Sequence, residues 1–223
     1  MARSRNTKLA ENVEDGSRWS LPAHQARSRE TRDKLLAAAE RVFDEKGYGG
    51  SRIIDIAKAA GCSVGAVYMR FIDKEALFNG IVEEFTSIGV MRVTEAASVA
   101  TGDPAELIRA FIRGTTKQFT HRRGMFRAII ERGFEDPTAL APIMTMRTRL
   151  EAVLENALSA TISRKHRDPR LAVRVATQMI FGFLLNSTIN PFAPTKSDGP
   201  RANAELEKAV LEYLGLDEKR EHA

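Results

Sequence analysis

The sequence predicts an all-α protein, a three-helix helix-turn-helix domain followed by a larger helical domain, and three observations carry that prediction. Apolar residues recur at helical spacing along most of the 223 residues, with no strand alternation and no internal repeat. Gly, Pro and Asp-Pro pairs cut the chain into helix-length pieces. Residues 51–78, SRIIDIAKAAGCSVGAVYMRFIDKEALF, read as two short helices locked around a tight turn.

Residues 1–27 lack apolar periodicity and mix Arg3, Arg5, Lys8 and Arg18 with Glu11, Glu14 and Asp15. They are expected to form a mobile arm: either a disordered leader or an extension that touches a minor groove or a phosphate. The first helix is expected over about 28–46. Leu35, Ala39 and Val42 line one edge of its apolar face, Leu36 and Phe43 the other, and Gly47 ends it.

Ser51 is positioned to cap the second helix, in which Ile53, Ile56, Ala57 and Ala60 recur at helical spacing. Gly61 can take the left-handed conformation that ends it. Ser63 can cap the third helix, with Cys62 and Val67 at the spacing of a hydrophobic staple. Ala57 is small where the two helices would cross. Val67 and Phe71 then face inward at i and i+4, which leaves Val64, Gly65, Ala66, Tyr68 and Met69 outward, flanked by Arg70.

That outward set suits a helix lying in a DNA major groove. Small residues at its amino end permit close approach, and Val64 and Ala66 can pack against thymine methyls. Tyr68 offers a hydroxyl to a phosphate. Asp73 can cap a fourth helix and place Lys74 in its first turn, where an ammonium and free backbone N–H groups would hold a phosphate. The plainer reading is a helical hairpin whose small residues merely ease packing.

Leu77, Phe78, Ile81, Val82 and Phe85 make the fourth helix amphipathic, a natural link between the two domains. Beyond it, helices are expected from Asp103-Pro104 to about His121, between Gly124 and Asp136-Pro137, from about Thr138 to Arg164, and from Asp168-Pro169 to about Asn190. A loop over 191–202 precedes a last helix from Asn203 to Leu214.

The run Thr31-Arg32, Leu35-Leu36, Ala38-Ala39, Val42-Phe43, Gly47-Tyr48, Ser51, Asp55-Ile56-Ala57, Ala60-Gly61-Cys62-Ser63, Gly65-Ala66-Val67-Tyr68, Arg70-Phe71, Asp73-Lys74-Glu75 and Leu77-Phe78 strongly resembles the amino-terminal domain of the tetracycline-repressor (TetR) family of bacterial transcription regulators. The resemblance covers about residues 28–85 without gaps. It implies a three-helix DNA-binding domain on a helical body that binds an effector and dimerises. The expected divisions are 1–27 arm, 28–73 DNA-binding domain, 74–216 ligand-binding and dimerisation domain, and 217–223 frayed tail. The family's contact positions fall on Ser51, Arg52, Val64, Gly65, Ala66, Tyr68, Met69, Arg70 and Lys74. Met69 and Arg70 stand where such proteins often carry an aromatic residue or histidine, which bears on the operator read.

The formal charge of +5 and pI near 9.5 are compatible with a polyanionic partner. The excess is thin: residues 1–75 hold 14 Lys/Arg against 11 Asp/Glu, the remainder 20 against 18. Binding to double-stranded DNA must therefore rest on a few well-placed cations. A single cysteine excludes an internal disulfide and suits a reducing cytoplasm. The absence of an uninterrupted membrane-length apolar run or an apolar leader predicts a cytoplasmic protein without a membrane partner. His24, His121, His166, His222 and Cys62 form no H-x-x-x-H, C-x-x-C or nucleophile-elbow pattern, so no enzyme, metal site or cofactor is expected.

For the second domain, Leu171, Val175, Met179, Gly182, Leu185 and Ile189 form a stripe on the helix at about 169–190. With Leu206, Val210, Leu211 and Leu214 of the helix at 203–214, two copies could build an intermolecular four-helix bundle, as the resemblance implies; the same helix could instead be subunit core. Phe111, Thr115, Phe119, Phe126, Ile130, Phe134, Met144, Met179 and Phe183 are candidates to line an effector pocket, or are plain core. Gln178 and Asn186, near one face of a largely apolar helix, would bond either an effector or their counterparts across a dimer. Arg127 and His121 are further candidates. The expected activity is that of a repressor released from a palindromic operator by a small apolar or amphipathic effector. An activator, or a helical ligand-binding protein whose DNA role has lapsed, are the alternatives.

Overall fold

A computed structural model of the protein describes residues 26–99, 103–196 and 199–217. The expected arm up to residue 25, and the tail from 218, lie outside the described residues. Among those described there are helices and no strand: α1 (Ala26–Gly50), α2 (Ile53–Ala60), α3 (Val64–Tyr68), α4 (Lys74–Val99), α5 (Pro104–His121), α6 (Arg123–Glu135), α7 (Ala141–Ile162), α8 (Pro169–Ile189) and α9 (Pro200–Leu214). The chain divides into two compact units, Met1–Phe85 and Thr86–Ala223, so the division falls within α4.

In the first unit α1 buries Leu35, Leu36, Ala38, Ala39, Val42 and Phe43, the face its periodicity predicts. Ile56 and Ala57 of α2, Val67 of α3, Phe71, and Leu77, Phe78, Ile81 and Val82 of α4 complete this core. Gly47 breaks α1 with φ 70°, where a Cβ would be strained, and the last turn runs on to Gly50. Gly61 ends α2 at φ 69°; its N–H bonds Lys58 O, and the Cys62 N–H reaches back to Ala57 O at 3.0 Å. Ser63 Oγ accepts from the Ala66 N–H at 3.2 Å and caps α3. Asp73 Oδ1 accepts from the Ala76 N–H at 2.7 Å and does the same for α4.

One expected cap is corrected. Arg52, not Ser51, is the N-cap of α2, and it is Asp55 whose Oδ2 accepts from the Arg52 N–H at 3.3 Å. Ser51 is buried, and its hydroxyl donates to Val42 O and Gly47 O of α1 instead.

In the second unit three Asp-Pro pairs each open an element: Asp103 accepts from the Ala105 N–H, Asp136 from the Thr138 N–H and Asp168 from the Leu171 N–H, with proline in the first turn. The long helix expected from Thr138 starts later. Pro137–Leu140 is a 3-10 turn and α7 begins at Ala141, because Pro142 has no N–H to give to residue 138. α9 starts earlier than expected, at Pro200, where a missing N–H costs nothing.

Helix α8 packs against α5, α6, α7 and α9. Its buried face is Ala172, Val173, Ala176, Thr177, Ile180, Leu184, Ser187 and Thr188. By length and composition it is apolar enough to cross a membrane, yet this face is spent inside the unit. α7 contributes Met146, Leu150, Leu154, Leu158 and Ile162 at helical spacing. Leu206, Val210, Leu211 and Leu214 of α9, expected at an intermolecular bundle, are buried within the subunit. Glu151 ties α7 to α8, accepting from Thr177 Oγ1 at 3.1 Å beside Arg174, and Arg147 Nε reaches it at 2.8 Å.

Candidate DNA-binding surface

The expected contact residues divide into an exposed set and an engaged set. Tyr68 is 49% and Met69 70% exposed; Gly65 is open, and Val64 and Ala66 are half-buried at the amino end of α3. Nothing inside the subunit requires the glycine, since a Cβ at Gly65 would meet only Ser63 Oγ at an ordinary 3.8 Å. The Arg52 side chain is exposed, with Nε 3.7 Å from Asp55 Oδ2. These residues sit on helices fixed by Val67 and Phe71 beneath them, both buried.

Arg70, Ser51 and Lys74 are engaged. Arg70 is half-buried and lies back along α3, Nη1 donating to Ala66 O at 3.3 Å. Ser51 has no exposed hydroxyl for a phosphate, because α1's carbonyls hold it. Lys74 Nζ donates to Tyr48 O at 2.8 Å and Ser51 O at 3.1 Å, and stands 4.2 Å above the centre of the Tyr48 ring. That ring packs edge-on against Phe78 and is tilted against Phe43.

Two exposed isoleucines in this unit, Ile54 at 58% and Ile72 at 70%, stand outside the contact set expected from the sequence. Ile54 was legible: it is off the Ile53, Ile56, Ala57, Ala60 stripe, on the open side of α2.

Electrostatically the surface is organised by Asp55. Lys46 Nζ hydrogen-bonds its Oδ1 at 3.0 Å, and that bond first of all holds the carboxyl below its ordinary range. Among the described residues no three His, Cys, Asp or Glu side chains converge in a metal-binding arrangement.

In the second unit four phenylalanines form one cluster. Phe119 of α5 and Phe126 of α6 stack at 3.9 Å and 6°, and Phe181 of α8 lies 6.3 Å from Phe119 and 6.0 Å from Phe111. Phe111, Phe119 and Phe126 were expected here; Phe181 was passed over for its neighbours Met179 and Phe183, which are half-buried, as are Thr115 and Ile130. Phe134 and Met144 are corrected: they are 86% and 55% exposed and line no interior. Phe134 falls about half a turn around α6 from buried Met125, and Met144 about as far around α7 from Met146. Thr115 Oγ1 donates to Phe111 O. Gln178, Asn186, Arg127 and His121 are exposed, with His121 Nδ1 2.8 Å from Lys117 O.

The sequence pattern of the bacterial regulatory proteins described as the tetR family matches residues 35–81. The HTH-type transcriptional regulator AcrR of Shigella flexneri is 28% identical over 197 residues, 85% of this chain and 88% of the relative. The HTH-type transcriptional repressor BepR of Brucella suis is 28% identical over 170 residues, covering 72% and 81%. Among solved structures, SmeT, the repressor of the Stenotrophomonas maltophilia multidrug efflux pump SmeDEF, superimposes with a TM-score of 0.63 at 20% identity, over 81% of this chain and 88% of its own.

Proposed function

The chain belongs to the TetR family of bacterial transcription regulators, and from that premise we propose that it is a homodimeric repressor released from a palindromic operator by a small molecule. The observation that carries the operator half is the amino end of α3: a serine-capped helix whose exposed face offers small residues and Tyr68, with Val67 anchoring the other face. Gly65 costs helix stability and fills no packing need, which suits a position that must approach a base edge closely. In this reading Val64 and Ala66 meet thymine methyls, Tyr68 and Arg52 hold phosphates, and Met69 and Arg70 bias base choice.

The dimer reading is supported by the outward face of α8. Leu171 is 55% exposed, and an added Cβ at Gly182 would meet nothing within 4 Å. A glycine inside a helix is disfavoured by about 1 kcal/mol relative to alanine, and a second α8 approaching closely would account for it. Gln178 and Asn186 lie exposed beside it and would meet their counterparts. α9 would add Ala204, Lys208 and Ala209, because its leucines are used within the subunit.

The effector would be an apolar or amphipathic molecule seated on the Phe111, Phe119, Phe126 and Phe181 cluster. It must bind the non-operator conformation better; about 3 kcal/mol of coupling weakens operator binding roughly 150-fold. Such a protein works in the cytoplasm, where its operator is. Oligonucleotide selection on the purified protein tests the reading, with an enriched two-fold-symmetric site expected. No enrichment at low salt would sink it.

A further inference from the structure

The amino end of α2 has a weakness that one distant side chain corrects. Between the Gly47 break and the Arg52 cap the chain runs Tyr48-Gly49-Gly50-Ser51, and an added Cβ at Gly49 would meet nothing within 4 Å. The two glycines have no side chains to fix the middle of this segment, and their backbone entropy is high. It nevertheless sets where α2 begins and where Arg52 stands. What holds it is polar: its own Ser51 Oγ, bonded back to α1, and from outside Lys74 Nζ, bonded to both Tyr48 O and Ser51 O.

We infer that Lys74 is a positioning residue, which registers the Tyr48–Ser51 turn, and through it α2 and Arg52, on the first turn of α4, in place of the phosphate grip its place in the sequence suggests. Three features of the geometry converge on this. The ammonium has three donors, and two of them are committed to carbonyls at either end of the glycine pair. The charge lies 4.2 Å over the Tyr48 ring, a cation–π contact that a swing toward DNA would forfeit. The ring in turn is wedged against Phe78, one turn along α4 from Lys74, so both ends of the latch belong to the same helix. A displacement of α4 is thereby passed to the start of α2.

The inference rests on the DNA-binding reading for its consequence but not for its physical test. Lys74→Met keeps the aliphatic stem and removes the donors. Hydrogen exchange on the free protein is expected to quicken at the Asp55 and Ile56 amides, which bond Arg52 O; unchanged protection there would overturn the latch whether or not DNA binds. On the selected operator, binding is expected to weaken about tenfold. Because Arg52 holds a phosphate in this reading, the salt slope is compared in the Arg52→Ala background, where adding Lys74→Met should leave the slope of log affinity against log salt unchanged; a further fall of about 0.9, one phosphate's worth, would overturn the assignment. In a cycle with Arg52→Ala the two losses should combine to less than their product; full multiplication would mean that Lys74 does not act through Arg52. Should Lys74→Met not fold, Lys74→Gln, shorter and uncharged, takes its place with the same two outcomes: quickened exchange at the Asp55 and Ile56 amides supports the latch, and unchanged protection overturns it.

Discussion

Lys46 Nζ lies 3.0 Å from Asp55 Oδ1, joining the last regular turn of α1 to the first turn of α2. The other oxygen of that carboxylate accepts from the Arg52 N–H, so a single side chain caps α2 and ties it to α1. This joint and the Lys74 latch hold the same helix end from two sides.

The joint has a pH signature. The Lys46 hydrogen bond, with smaller help from Arg52, holds the Asp55 carboxyl below its ordinary value. A group whose folded pKa is depressed stabilises the fold fully above its unfolded value, about 4, and loses that contribution as pH falls through the folded one. Asp55→Asn should therefore lower Tm at pH 7, and the gap to wild type should narrow as pH falls below about 4 and on through the depressed folded pKa. A gap independent of pH would exclude the charge as its origin.

Gly61 isolates a backbone effect. An added Cβ meets nothing within 4 Å, so the cost of Gly61→Ala comes from φ 69° alone. About 1 kcal/mol of destabilisation is expected in urea unfolding, and less for Gly61→Asn, which tolerates the left-handed region better. Equal costs for the two would contradict the conformational explanation.

The five-residue helix α3 cannot sustain itself without its cap. Ser63→Ala should cost about 1 kcal/mol, and Ser63→Asp, which restores an acceptor for the Ala66 N–H, should recover most of it. Operator affinity measured alongside should follow stability in the first variant and return in the second.

Gly182→Ala separates subunit from dimer. Within the subunit the methyl has open space and improves helix propensity by about 1 kcal/mol. If α8 meets a second α8 there, sedimentation equilibrium should show a dissociation constant raised by about tenfold or more. A wild-type-like dimer would remove Gly182 from the contact.

Much of this fold was legible because its signals are local. Three Asp-Pro pairs, the Ser63 and Asp73 caps and the Gly61 stop each work within a few residues, through backbone donors that any helix end must satisfy. The buried stripe of α1 was readable for a similar reason: periodicity alone divides a helix into two faces. Ser51 was misread because two carbonyls of α1 compete for its hydroxyl, and no rule of helix starts weighs that competition. Phe134 and Met144 were misread because residue type does not say which arc of a helix meets a neighbour.

The order of helices, their caps, the turn between α2 and α3 and the outward face of α3 follow from residues within a few positions of one another, where steric and hydrogen-bonding rules act through the backbone itself. What Lys74 grips, what the apolar arc of α9 packs against and which phenylalanines meet depend on groups brought together across distance, Lys74 and Tyr48 standing 26 residues apart and His166 and Tyr213 47. A side chain's choice among carbonyl, ring, carboxylate and solvent is settled only when packing has placed those competitors around it, and at these positions the tertiary structure alone did so.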